Sequence, residues 1–221
     1  MAVTQFVYGR MQESLWAGEI NFPTDTIKAM LLSSYTVGAT QDTARYLSDV
    51  VTAGVGVEAT GGGNTGYAAG GLTLTGKVAT YTAANSWATQ RANSTAYSVG
   101  DVVRPAAGNG FVYQALVAGT SGGSVPTFPT VLGQTVTDGG VTWACMGRGV
   151  MLVDATDPVW TTVNPGTLTA SHVLFYKSTG TPSTSPVLLF WDLGGTQTAS
   201  NGGQLTPQLD STEGLLVMFT A

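Results

Sequence analysis

Two runs decide the fold: Ser171-His172-Val173-Leu174-Phe175-Tyr176-Lys177 and, after a break punctuated by Gly180, Pro182 and Pro186, Val187-Leu188-Leu189-Phe190-Trp191-Asp192. Both are short, rich in β-branched and aromatic side chains, and bounded by turn residues, which is the pattern of strands. Neither carries the three-to-four-residue apolar spacing of an amphipathic helix. Outward from this pair the same texture repeats. Thr26-Ile27-Lys28-Ala29-Met30-Leu31-Leu32 reads as a strand, and Leu72-Thr73-Leu74-Thr75 and Lys77-Val78-Ala79-Thr80-Tyr81 alternate around Gly76. Gly149-Val150-Met151-Leu152-Val153, Gln204-Leu205-Thr206 and Leu215-Leu216-Val217-Met218-Phe219 complete the set. One modest helix is predicted, from Asp42 to Val50, with Asp42 as its cap. Many short strands with Gly-rich turns predict an all-β chain, with a β-sandwich or barrel-like parent domain.

Composition narrows the function. Of 221 residues only 10% are charged, against the usual quarter, and lysine occurs at Lys28, Lys77 and Lys177 alone. A net charge of -5 argues against nucleic acid as a partner, because counterion release needs clustered Lys and Arg. The single cysteine, Cys145, has no partner for an internal disulfide, and the single histidine, His172, excludes a multi-histidine metal site. The apolar runs are too short to cross a bilayer as helices, and no signal-like segment opens the chain. A protein made in a cytoplasm, with no membrane partner, is expected.

A composition shift divides the chain. Between Trp87 and Gly149, Arg91, Arg104 and Arg148 outnumber Asp101 and Asp138, whereas the remainder is strongly acidic. The runs ending near Tyr81 and starting near Val150 would be neighbours if the middle were removed. Residues 87–149 are therefore read as a small β module inserted into a loop of a parent domain made of residues 25–86 and 150–221, preceded by an N-terminal arm, residues 1–24.

The middle stretch carries Tyr97-Ser-Val-Gly100-Asp101-Val-Val103, Gly110-Phe-Val-Tyr113-Gln-Ala115, Gly119-Thr-Ser-Gly122, Pro126, and Gly133-Gln-Thr-Val-Thr-Asp138-Gly-Gly-Val-Thr-Trp143. It resembles the small carbohydrate-binding module of the chitin-binding type, copies of which recur in phage tail fibres. Gly100-Asp101 and Asp138-Gly139 suit turns, and Tyr97, Tyr113 and Trp143 suit the core of so small a domain. In that family the Tyr-x-Ala step is followed by two adjacent sugar-stacking tryptophans; here Val117 and Ala118 stand there. Arg91 replaces the tryptophan that usually precedes the first tyrosine. Phe111, Phe128 and Trp87 read more simply as core or interface aromatics than as a substitute platform; Arg104, Phe111 and Phe128 are the candidates for an outer face or glycan contact.

The flanking segments resemble the small structural proteins of tailed-phage virions. The features that carry this are Ile27 to Leu32, Asp42-Thr43 with Tyr46-Leu47-Ser48-Asp49-Val50, Gly66-Tyr67-Ala68-Ala69-Gly70-Gly71-Leu72, Val153-Asp154-Ala155-Thr156-Asp157-Pro158-Val159-Trp160, Ala170 to Gly180, and Asp192-Leu193-Gly194-Gly195. Members of that group lack the middle module. The resemblance implies a non-enzymatic head decoration or cement protein on the virion's capsid surface. Its partners would be the major capsid protein and copies of itself, with a trimer favoured. The alternative it leaves open is a tail or fibre protein whose module binds host surface glycan.

No catalytic constellation emerges, and no cofactor or metal is implied. His172, beside Val173 in an apolar run, reads as structural, and Cys145, between Trp143 and Met146, as a buried thiol. Asp154 and Asp157 precede Pro158 and read as a turn rather than a calcium loop. Gly61 to Gly66 lacks the lysine of a phosphate loop. Attachment is assigned to the aromatic side chains of the arm, Phe6, Tyr8, Trp16 and Phe22, packing on a neighbouring chain, the alternative being that the arm covers the chain's own core.

Overall fold

The computed structural model describes residues 4–60, 66–208 and 214–220. The fold is all-β: 45% of the residues lie in strands, and the helices among the described residues are the short Met11–Trp16 and Ala84–Trp87. The chain forms two compact units, one of residues 1–78 and 154–211, the other of residues 79–153 and 212–221.

The centre of the first unit is the antiparallel hairpin of Thr167–Lys177 and Val187–Ser200, in a register that sets Val173 against Trp191 and Leu174 against Phe190. Ile27–Tyr35 joins the outer side of Thr167–Lys177, with Leu174 opposite Met30, and carries Gly56–Glu58 and Leu72–Thr73 in turn. Thr4–Val7 closes the other edge by pairing with Leu189 to Asp192. Side chains alternate across a sheet. The register therefore gathers His172, Leu174, Met30, Leu32 and Phe190 on one face, and Val173, Phe175, Ala29, Leu31 and Trp191 on the other. Both sets are buried, which explains why the strands read as continuous apolar runs rather than as alternating ones.

The N-terminal segment is part of this unit, and the separate arm expected from the sequence is corrected accordingly. Beyond the pairing of Thr4–Val7, Arg45 grips Glu13 at 3.0 Å and Glu19 at 2.8 Å, and Lys177 Nζ lies 3.0 Å from Asp25 Oδ2. The predicted helix from Asp42 to Val50 is also corrected. Turns lead into a single 3-10 turn, Leu47–Asp49, and the carboxylate of Asp49, not Asp42, accepts the Arg45 and Tyr46 N–H groups.

The second unit holds a five-stranded sheet in the order Thr135–Asp138, Val141–Gly147, Val112–Val117, Val102–Arg104 and Thr89–Gln90. The hairpin turn needs Gly139, whose φ of +64° leaves a Cβ no room beside the Thr120 carbonyl. Tyr113, Trp143, Val103, Val141, Ala115 and Cys145 form the core, with Tyr97 edge-on to Trp143 at 4.9 Å. A three-stranded sheet of Leu216–Thr220, Gly149–Asp154 and Val78–Ala83 belongs largely to the same unit. The second unit thus extends beyond residues 87–149, because the terminal strand pairs with Gly149–Asp154.

Candidate interaction surface

The four aromatic residues assigned to attachment have separate fates. Tyr8 is fully buried, donating its hydroxyl proton to Tyr35 Oη at 3.0 Å, and Phe22 is buried as well. Both serve the chain's own core, so their assignment to a partner surface is corrected. Phe6 is half-buried, stacked on Phe190 at 5.0 Å between ring centres. Trp16 alone is presented outward, 91% exposed at the end of Met11–Trp16. The local sequence does not separate the four, because a short segment of mixed helix and strand shows no single period, and so no inward face.

In the second unit the position that suited a sugar-stacking tryptophan is filled by an ion pair. Arg91 donates through Nε to Asp138 Oδ2 at 2.9 Å and through Nη2 to Asp138 Oδ1 at 2.7 Å. Asp138 also accepts from Trp143 Nε1 and from the Gly122 N–H, each at 2.9 Å. Arg91 further donates to the Gly122 carbonyl and to Asn93. Burial alone would raise the Asp138 pKa, but the Arg91, Trp143 and Gly122 hydrogen bonds outweigh it and hold the carboxyl below its ordinary range. This network joins the start of the module to its hairpin and leaves neither group free for a ligand.

Phe111 and Phe128 are buried, the first beneath the Arg148 guanidinium at 4.6 Å and the second against Tyr113 at 4.4 Å between ring centres. Their assignment to an outer face is corrected for the same reason as Tyr8: a unit this small spends its aromatic rings on its core. Arg104 is half-exposed. Leu116, Val117 and Ala118 are exposed, and Val99 is 65% exposed.

The groups with chemical potential are quiet. Cys145 is buried, and burial pushes its thiol pKa up, away from the reactive thiolate. Asp154, the last residue of the strand Gly149–Asp154, accepts the Ala155 N–H at 2.8 Å. Gly61 to Thr65 lie outside the described residues. Among the described residues, no three of His, Cys, Asp and Glu converge as a metal site, and no helix is long and apolar enough to cross a membrane.

A feature that sequence reasoning missed is the trio Ser171, His172 and Asp192. Ser171 Oγ lies 2.8 Å from His172 Nδ1 and 3.0 Å from the Ser33 carbonyl, and His172 Nε2 lies 3.9 Å from Asp192 Oδ1. His172 Nε2 is buried and has no hydrogen-bond partner among the described residues. A catalytic triad runs its hydrogen bonds from serine through imidazole to carboxylate; here the 3.9 Å between His172 Nε2 and Asp192 Oδ1 leaves that chain incomplete. The register pairing of His172 with Asp192 was invisible before the strands were aligned.

Among the described residues the longest strand exposed along nearly its whole length is Val78–Ala83, the outer strand of the three-stranded sheet, exposed at every position but Thr82. Its residues, Val-Ala-Thr-Tyr-Thr-Ala, include no charge, proline or glycine. Natural sheets usually blunt such an edge with charge, proline or a bulge, because open N–H and C=O groups recruit other strands. The chain matches no protein-family model, no curated protein and no solved structure.

Proposed function

We propose that this chain is a non-enzymatic structural subunit of a tailed-phage virion. In this reading it is a head decoration or cement protein that binds the shell of major capsid proteins and assembles with copies of itself, a trimer being favoured. Phage origin rests on the sequence resemblance of the flanking segments. The observation that carries the assembly role is the uncharged, open edge strand Val78–Ala83 on a chain whose surface has few charges with which to repel a neighbour.

Trp16 is the attachment residue the geometry favours. Large aromatics at the centre of an interface supply much of its binding energy, and this one makes little contact with its own fold. A protein of this kind stabilises the shell by bridging neighbours, because whatever binds only the assembled state shifts the balance toward it. The head reading is preferred over a glycan-binding tail fibre, since Phe111 and Phe128 are enclosed and the family's tryptophan pair is replaced by Val117 and Ala118. The test is co-sedimentation of the purified chain with phage heads stripped of their decoration. Saturable binding that raises the temperature of head rupture supports the role, and recovery of all the chain in the supernatant contradicts it.

A further inference from the structure

In the first unit a cavity of about 280 Å³ opens beside the central sheet, lined among others by Lys28, Met30, Leu47, Val51, Glu58 and Gly70. That is slightly less than the roughly 300 Å³ at which pockets for drug-sized ligands begin, so its occupant is small. Lys28 and Met30 lie on one strand, and Glu58 pairs opposite Leu32 of the same strand. Residues 28, 30 and 32 share a face, which places a cation and an anion at the two ends of a floor made by Met30.

The two charges do not neutralise each other. Lys28 Nζ makes no hydrogen bond or ion pair among the described residues. Among the described residues Glu58 is engaged through Oε1, which accepts the Tyr67 hydroxyl at 2.9 Å and the Gly70 N–H at 2.5 Å, with no hydrogen bond to Oε2. Gly70 is fixed between them, because its carbonyl also accepts the Tyr176 hydroxyl at 2.7 Å. Its φ is +84°, and a Cβ there would stand 3.4 Å from Lys28 Nζ and 3.6 Å from the Tyr176 oxygen. The positive φ favours glycine here, and the contact places the ammonium against the Gly70 backbone. Leu47 and Val51 add an apolar side.

We infer that this cavity binds a small zwitterion of the α-amino-acid class with an apolar side chain. The ligand's carboxylate pairs with Lys28, its ammonium with Glu58 Oε2, and its side chain lies against Met30, Leu47 and Val51. Opposite charges held apart in one cavity match a molecule that carries both, and either charge alone would meet one attractive and one repulsive end. The site is independent of the assembly role.

The test uses the full chain and three probes: L-leucine, N-acetyl-L-leucine, which lacks the ammonium, and L-leucinamide, which lacks the carboxylate. Binding is read from the amide resonances of Gly70 and Thr181. L-leucine is expected to give saturable shifts, with either truncated probe about tenfold weaker, one charge-assisted hydrogen bond being lost. Lys28→Met should erase the difference between L-leucine and L-leucinamide. Glu58→Gln, which keeps an oxygen for Gly70 and Tyr67, should erase the difference between L-leucine and N-acetyl-L-leucine. Equal responses to all three probes, no saturable shift with L-leucine, or unchanged selectivity in both correctly folded variants would overturn the inference.

Discussion

Arg91 and Asp138, 47 residues apart, form a two-point ion pair whose side chains are 0% and 2% exposed. The pair is a structural clasp that ties the segment around Arg91 to the hairpin of Thr135–Asp138 and Val141–Gly147. Buried pairs add little over an apolar equivalent, but removing one member strands the other's charge.

Asp138→Asn is therefore expected to destabilise the chain by about 3–5 kcal/mol, read as a fall in the urea midpoint. The pair also shapes acid stability. The Asp138 carboxyl is held below its usual value by Arg91, Trp143 and Gly122 against the opposing effect of burial. A depressed folded pKa gives a contribution that is full above the unfolded value, about 3.9, and is lost as pH falls through the folded one. Asp138→Asn should flatten that part of the acid limb.

His172 acts in another pH window. Burial lowers its pKa, and the Asp192 carboxylate opposes this only in part. The folded state therefore binds its proton less readily than the unfolded state. Stability should be full above the unfolded value of about 6.5 and decline as pH falls from there toward the folded value. Since it is the only histidine, its Cε1 proton resonance reports the titration directly. The midpoint should lie below that of a free histidine, and Asp192→Asn should lower it further.

Trp16 and Tyr8 should separate attachment from folding. Trp16→Ala removes a side chain 91% exposed and should leave the melting temperature within the scatter of surface substitutions while weakening binding to heads. Tyr8→Ala opens a cavity beneath the edge strand and leaves the Tyr35 hydroxyl with Thr40 as its remaining partner, at a cost of about 3–5 kcal/mol by thermal unfolding.

Thr80→Lys places a charge in the middle of the open edge Val78–Ala83. Sedimentation velocity should show less self-association than in the parent chain, with an unchanged circular dichroism spectrum. Equal self-association would remove this edge from the assembly surface.

Most strands were legible because both faces of the central sheet are buried, so Ile27–Tyr35, Thr167–Lys177 and Val187–Ser200 advertise themselves as apolar runs. Val187–Ser200 continues past Gly194 and Gly195, where the sequence had suggested a stop, because pairing with Thr167 to Ala170 holds the extension. The N-terminal strand and helix were illegible for the opposite reason: their alignment depends on Phe190, Arg45 and Lys177, all distant in sequence. The candidate surface was legible only in part. A list of aromatic residues cannot tell Trp16 from Tyr8, and the cavity between Lys28 and Glu58 arises from a strand register that no local motif encodes.

The central claim, a structural subunit of the virion shell, is tested most directly by cryo-microscopy of the virion whose genome encodes this chain. The account predicts many symmetry-related copies on the head, with Trp16 and the Val78–Ala83 edge covered by neighbouring chains. A virion with no density for the chain on its head would contradict it.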